Sequence, residues 1–268
     1  VQRWILKEIL EKICVSKQAV AFVPKKNGLK DNAERHKEKL FILEMDITNF
    51  FGSIKKKQIY RLFSSIGYNN NVANILAELC TYNDELPQGA VTSPYLANLI
   101  CFHMDSRING YCSRRDIVYT RYADDLAFSS DNRTFLNKTE KFIKYIVEDE
   151  GFLINDKKTR YLSNYVKKTI TGITINNNSI HVDKNLKKCL RAQIFQSIKT
   201  RNYMDNDIIR GKIAFINSIE DGFKDNVIKY IQHISKKTYF INDPKIVDAY
   251  NKNKLYPILP DMKLDDKL

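Results

Sequence analysis

The tetrapeptide Tyr122-Ala123-Asp124-Asp125 lies between two β-forming runs, residues 117–121 and 126–129. Two adjacent carboxylates at the tip of a hairpin repel, and each raises the other's pKa. A divalent cation removes that cost. A third carboxylate, Asp46, follows another apolar run, Leu40-Phe41-Ile42-Leu43. If the two segments are neighbouring strands, three acidic oxygens converge on one point. Hard oxygen donors of this kind suit Mg²⁺, which keeps several waters and takes substrate phosphates as further ligands. The chemistry to expect is two-metal phosphoryl transfer.

At 268 residues and 43% hydrophobic, the chain can bury a core as one large domain or two to three smaller ones. Its net charge of +13 points to a polyanionic partner. The excess is unevenly placed: residues 1–150 carry 22 basic and 19 acidic side chains, whereas 151–268 carry 22 and 12. One region would hold metal and the other phosphate backbone. Five scattered cysteines form no Cys-x-x-Cys pair, which argues for a reducing compartment and against a disulfide framework or a zinc site. No apolar run approaches the length of a membrane span, and no signal peptide is visible.

Apolar spacing predicts helices over 2–15, 57–66, 72–79, about 93–108 and 137–149. The first carries a stripe of Trp4, Ile5, Ile9 and Ile13, and the last turns Phe142, Ile143, Ile146 and Val147 inward. Asp31 is the expected cap of a short helix, with Glu34 completing a capping box. A strand is expected over 40–45. A second hairpin runs from Thr171-Gly172-Ile173-Thr174-Ile175 through Asn176-Asn177-Asn178-Ser179 to Ile180-His181-Val182. Beyond Lys184 the pattern is helical to near 238, with Leu186, Leu190, Ile194 and Ile198 on one stripe. Lys184, Lys187, Lys188 and Arg191 lie largely off it. Pro257 and Pro260 mark an irregular tail, and a boundary is expected near 183.

Between the acidic segments lies Leu86-Pro87-Gln88-Gly89-Ala90-Val91-Thr92-Ser93-Pro94. Gly89 lets backbone approach a ligand closely. Gln88 can hydrogen-bond a base or sugar, and the N-terminus of the following helix favours negative charge. Taken together, these segments resemble the reverse transcriptases. Asp46 with Phe50-Phe51 resembles the first catalytic motif of that family. Pro87-Gln88-Gly89 through Ser93-Pro94-Tyr95-Leu96-Ala97-Asn98-Leu99 resembles the template- and dNTP-positioning motif. Tyr122-Ala123-Asp124-Asp125 resembles the catalytic hairpin. Gly151-Phe152 through Asn155 to Lys158-Thr159 resembles the lysine-bearing motif, and the hairpin at 171–182 falls at the primer grip. Asn32-Ala33-Glu34-Arg35-His36 and Ile170-Thr171-Gly172 are similar to two signatures of the bacterial retron enzymes.

The resemblance implies an α+β right-hand polymerase fold with partial fingers, an antiparallel-sheet palm and an α-helical thumb. Residues 1–39 would be fingers, whose tip is expected upstream of Val1. Residues 40–183 would be palm with a fingers insertion at about 63–86, and 184–268 thumb. Asp46, Asp124 and Asp125 would be catalytic and hold two Mg²⁺ ions. Lys158 would protonate the leaving pyrophosphate, with Lys157 as the alternative. Ile47, Thr48, Phe51, Gln88 and Gly89 would bind dNTP, Phe51 as the steric gate against a 2′-OH and Phe50 as its core-packed neighbour. Asn32, His36, Tyr122, Thr171, Gly172, Lys187, Lys188 and Arg191 would contact nucleic acid. The retron likeness further implies a cytoplasmic bacterial enzyme with a structured non-coding RNA that serves as template and, through an internal 2′-OH, as primer. It implies RNA-linked single-stranded DNA as product, a separate effector protein and a role in antiphage defence. Two alternatives stay open: another bacterial reverse transcriptase, of group II intron or defence-associated kind, and an inactive nucleic-acid-binding scaffold.

Overall fold

The computed structural model describes residues 1–163, 165–176, 179–200 and 204–239. The chain divides into two compact units, Val1–Ser179 and the remainder from Ile180. The first unit is α+β. In chain order it holds α1 (Gln2–Glu8), α2 (Gly28–His36), β1 (Phe41–Asp46), α3 (Phe50–Ser53), α4 (Lys56–Ser65), α5 (Asn70–Cys80), α6 (Ser93–Ile100) and α7 (Phe102–Ser113). There follow β2 (Val118–Tyr122), β3 (Asp125–Ser130), α8 (Arg133–Asp149), β4 (Arg160–Leu162), β5 (Lys168–Ile170) and β6 (Ile173–Asn176). Strand β7 (Ser179–His181) carries the chain across the division. The second unit contains α9 (Lys184–Thr200), α10 (Asn206–Ile219) and α11 (Phe223–Tyr239).

Strands β2-β3-β1-β4 form an antiparallel sheet in that order. Its central strands are buried on both faces. Ile42, Leu43, Met45, Leu126 and Phe128 are all at most 1% exposed, so these strands read as apolar runs rather than alternating ones. Helix α8 packs on β1 and β3 through Leu136, Ile143, Ile146 and Val147. Its N-terminus is capped by Asn132, whose side chain accepts from the amides of Thr134 and Phe135. Phe142, expected inward, stacks instead on Tyr111 of α7 with ring centroids 4.2 Å apart.

Several boundaries differ from expectation for local reasons. The first helix stops at Glu8 and continues as a short 3-10 turn, Leu10–Lys12, which leaves Trp4 exposed while Ile5 is buried. Asn27, not Asp31, caps α2: its side chain accepts from the Lys30 amide, which puts Asp31 in the first turn. The predicted helix over 93–108 is two helices, broken at Cys101. Thr171 and Gly172 do not begin a strand. They are the two-residue loop between β5 and β6, with φ of +46° and +82° and Ile170 paired to Ile173. Positive φ at both loop positions is the twist that a tight hairpin requires. The expected turn at Asn177-Asn178 and the tail around Pro257 and Pro260 lie outside the described residues.

In the second unit the apolar stripes of the three helices pack against one another. Leu190, Ile194 and Ile198 come from α9, Ile209, Ile213 and Ile216 from α10, and Val227, Ile231 and Ile234 from α11. Among the described residues the five cysteines are free thiols, and no helix is long and apolar enough to cross a membrane.

Beneath the sheet of the first unit lies an ion pair sealed from water. Arg121 of β2 and Asp105 of α7 are both 0% exposed. The guanidinium donates to both Asp105 oxygens at 2.9 and 2.8 Å, to Asn98 Oδ1 at 3.1 Å and to the Ala123 carbonyl at 3.3 Å. Tyr119 Oη donates to Asp105 at 2.8 Å. Buried charges persist only when paired and hydrogen-bonded in this way. Asp105→Ala would strand the guanidinium, and urea denaturation is expected to show a loss of about 3–5 kcal/mol. Asp105→Asn, which keeps one acceptor, should lose less.

Candidate active site

The β1–β3 register brings the acidic residues together: Asp46 at the end of β1 sits opposite Asp125 at the start of β3. Ala123 and Asp124 form the two-residue loop between β2 and β3. Ala123 is buried at φ +56°, a left-handed conformation that an L side chain resists. Arg121 holds its carbonyl. The Asp124 carbonyl accepts from the Ile47 amide at 2.9 Å. The other side of the same segment is fastened to residues 153–155, where the Thr48 amide donates to Leu153 O and the Asn155 amide to Asp46 O, both at 2.8 Å. Asp46 is therefore clamped through its backbone between the hairpin and the chain that leads to Lys158.

The electrostatics follow from this crowding. Lys158 Nζ lies 2.9 Å from Asp46 Oδ2, and that hydrogen bond raises the lysine's pKa. Asp125 is pushed up to about 6, by desolvation first and then by the charges of Asp124 and Asp46, with Lys158 and Arg160 opposing. Because Asp125 is solvent-exposed, water and salt screen that rise. Glu44 is raised by burial, against the pull of its partner Arg160.

Two cavities adjoin Asp46. One of about 470 Å³ is lined by Asp46, Ile47, Thr48, Phe51, Gln88 and Asp124, with Asn49, Asn155 and Lys158 also at its wall. The other, about 390 Å³, is lined by Asp46, Asp125, Lys157, Lys158 and Thr171 among others. Among the described residues no three acidic, histidine or cysteine groups already stand at metal-holding geometry. The donor set nevertheless fits a divalent cation, since its members are oxygen-only, the charges of Asp124 and Asp46 add to the desolvation that raises Asp125, and Asp46 already attracts an ammonium.

The structure brings most of the expected dNTP residues to one wall. Phe51 is half-buried at the first cavity, whereas Phe50 is 4% exposed and packs on Phe51 and Phe152 at centroid distances of 5.3 and 5.9 Å. Gly89 occupies the adjoining loop at φ +85°. Tyr122 is half-buried near Phe22, with ring centroids 6.5 Å apart.

Asn32 and His36 depart from the expected nucleic-acid contact. They are 1% and 0% exposed and face Thr120, Ser129 and Thr171, so neither side chain is presented to a polymer. Lys187 is drawn into an ion pair with Glu220 at 2.8 Å, while Lys188 and Arg191 are exposed. Sequence reasoning passed over Thr120, Ser129 and the Arg121–Asp105 pair. Only Arg121 carried a signal, as a charged residue inside a β-forming run.

A carboxyl whose folded pKa is raised favours the folded state when protonated. That contribution is complete below the unfolded value near 4 and is lost as the pH rises through about 6. Asp125→Asn should therefore raise Tm at pH 7.5, by an amount worth at most about 1 kcal/mol for so exposed a group. The gain should shrink toward zero as the pH is lowered to 4, which a calorimetric pH series checks.

Residues 2–182 match the family described as reverse transcriptase (RNA-dependent DNA polymerase). The retron Ec86 reverse transcriptase of Escherichia coli is 35% identical over 88% of this chain and 73% of its own length. The retron Mx65 reverse transcriptase of Myxococcus xanthus is 32% identical over 75% of this chain and 51% of its own. In fold, the chain resembles the telomerase of Candida albicans solved with the TWJ fragment of telomeric RNA. The TM-score is 0.55 at 11% identity, over 98% of this chain and 55% of that one. The Candida tropicalis telomerase with the same kind of fragment gives 0.52 at 13% identity, over 96% of this chain and 49% of that one. The chain spans about half the length of these telomerases and of the Mx65 enzyme. The architecture is thus that of an α+β polymerase, and the chain belongs to the reverse transcriptase family, among its retron-type members.

Proposed function

We propose that this chain copies a structured non-coding RNA into DNA by two-metal nucleotidyl transfer, as the RNA-directed DNA polymerase of a retron. The observation that carries this is the meeting of Asp46 with Asp124 and Asp125 beside a cavity that also holds Phe51 and Gln88. Residues 1–39 act as fingers, 40–183 as palm with a fingers insertion at about 63–86, and 184–268 as thumb. The retron signatures and retron relatives support the finer assignment: priming from an RNA 2′-OH, RNA-linked single-stranded DNA as product, and service in antiphage defence beside a separate effector in the bacterial cytoplasm.

Asp46 and Asp124 would hold two Mg²⁺ ions, with Asp125 assisting. When bound, these ions supply the charge that acidifies the primer hydroxyl and neutralises the departing pyrophosphate. The protein's own part is positioning. Ile47 and Thr48 present backbone to the triphosphate, Gln88 and Gly89 orient the nucleotide, and Phe51 fills the space of a ribose 2′-OH. Lys158 carries a proton beside Asp46 and gives it to the leaving pyrophosphate once nucleotide draws the ammonium away, while Lys157 at the second cavity is the neighbouring alternative. Tyr122, Thr171 and Gly172 line the path of the primer and template. Lys188 and Arg191 contact phosphate without reading sequence, which makes binding salt-sensitive.

Extension of a primer on an RNA template in Mg²⁺ tests this. The wild-type protein should synthesise DNA and stop when EDTA is added. Asp124→Asn should lower the rate by at least ~10²–10³-fold, and equal synthesis by that variant would sink the proposal. Lys158→Ala should slow incorporation by about 10²–10⁴-fold. Phe51→Ala should raise rNTP incorporation relative to dNTP, at some cost in Tm because its ring also packs on Phe50.

A further inference from the structure

Thr171 is an unusual occupant of its turn. A β-branched residue at φ +46° is an outlier, and tight hairpin loops favour Asn, Asp or Gly there. A buried chain of hydrogen bonds holds it. Ser129 Oγ lies 2.6 Å from His36 Nδ1, and His36 Nε2 lies 2.7 Å from Thr120 Oγ1. Thr120 Oγ1 donates to Asn32 Oδ1, and Asn32 Nδ2 donates to Thr171 Oγ1 at 3.3 Å. Ser129, His36, Thr120 and Asn32 are all at most 1% exposed, whereas Thr171 is half-buried.

Two proton orders connect these atoms, and burial decides between them. In the reverse order Ser129 accepts from His36, and its own hydroxyl proton is sealed in the core. Among the described residues Ser129 Oγ has no second partner to take that proton. A buried donor left unpaired is strongly disfavoured. The forward order uses every buried hydroxyl and ring proton: Ser129 to His36 Nδ1, His36 Nε2–H to Thr120, and Thr120 to Asn32, which in turn donates one amide proton to Thr171. His36 is then the neutral Nε2–H tautomer, in keeping with burial, and to a lesser extent the nearby Arg35 charge, lowering its pKa to about 3. The chain ends at Thr171, whose oxygen accepts from Asn32 and whose own proton remains to be given away. Thr171 lines the second cavity together with Asp46, Asp125, Lys157 and Lys158.

We propose that Ser129, His36, Thr120 and Asn32 are positioning residues that present the Thr171 hydroxyl as a hydrogen-bond donor to a backbone oxygen of the nucleic acid at the active site. The role depends on the polymerase function proposed above. It explains why Asn32 and His36 are buried and why threonine occupies a position where glycine would be less strained.

The test sets stability against affinity. Anisotropy measures binding of an RNA template annealed to a DNA primer, and Tm is recorded for each protein. Thr171→Gly relieves the positive φ and deletes the hydroxyl, so Tm should hold or rise while Kd weakens by about three- to tenfold. Thr171→Ser should bind within about twofold of wild type. Thr120→Val, which severs the chain upstream, should weaken binding alone and add nothing to Thr171→Gly. Wild-type binding with equal binding by Thr171→Gly overturns the positioning role and leaves the polymerase proposal standing. So does a loss of Tm in step with affinity for Thr171→Gly, or a Thr120→Val affinity penalty that is the same in both backgrounds. A wild-type protein that neither binds nor extends the duplex removes the polymerase proposal and this role with it.

Discussion

A slip of one residue between β1 and β3 would turn Asp46 to the opposite face of the sheet from the one it now shares with the hairpin acids. Everything chemical in the first unit depends on that register. It is over-determined by burial, because Leu43, Met45, Leu126 and Phe128 are enclosed and a slip would move each of them. It is over-determined again at the ends of the strands, where the Ile47 amide reaches the Asp124 carbonyl and the Asn155 amide reaches that of Asp46. Like charges are thus held together by apolar packing and backbone hydrogen bonds that do not depend on the charges themselves.

The two tight hairpins of this unit share a solution. Each has a residue with a Cβ in the left-handed region, Ala123 at φ +56° and Thr171 at φ +46°, where strain of order 1–3 kcal/mol persists only if neighbours enforce it. Arg121 enforces the first through the Ala123 carbonyl, and Asn32 the second through the Thr171 hydroxyl. Both enforcing side chains are buried and fixed in turn by Asp105 and by Thr120. Buried polar groups here serve to aim turns rather than to add stability, which buried ion pairs supply poorly.

Three of the four strands of the sheet, most of its helices and the three acids were legible in the sequence because each rests on a local pattern: apolar runs, helical spacing, paired carboxylates; β4, three residues long with two of them exposed, carries no such pattern. What was not legible depends on distant partners. Cys101 breaks a helix that spacing alone would continue. Asn27 outcompetes Asp31 as a cap because its side chain meets the Lys30 amide, a choice that two equally good capping residues cannot reveal in advance. Asn32 and His36 look like surface polar residues on one helical face, and only the placement of β2, β3 and the Thr171 turn buries them. Lys187 looks like a phosphate contact until Glu220 is folded against it. Thr120 and Ser129 gave no signal, since a hydroxyl inside a strand is as common in an inert sheet as in a relay.

The site's own ion pairs leave the hairpin acids, and not their neighbours, without a cationic partner among the described residues. Four carboxylates gather along β1 and the β2–β3 loop: Glu44, Asp46, Asp124 and Asp125. Arg160 of β4 pairs with Glu44, and Lys158 just before β4 pairs with Asp46. Among the described residues no ion pair reaches Asp124 or Asp125, and their repulsion adds to desolvation in raising the pKa of Asp125. Strand β4 and the residues just before it thus neutralise the inner half of the cluster and leave the outer half charged toward the cavities. The Lys158 ammonium is 61% exposed on its side chain, so it can leave Asp46 at little desolvation cost when a stronger cation arrives. On the proposed reading Asp46 would then join Asp124 and Asp125 in holding that cation, and the lysine would be left beside the departing phosphate, still carrying its proton.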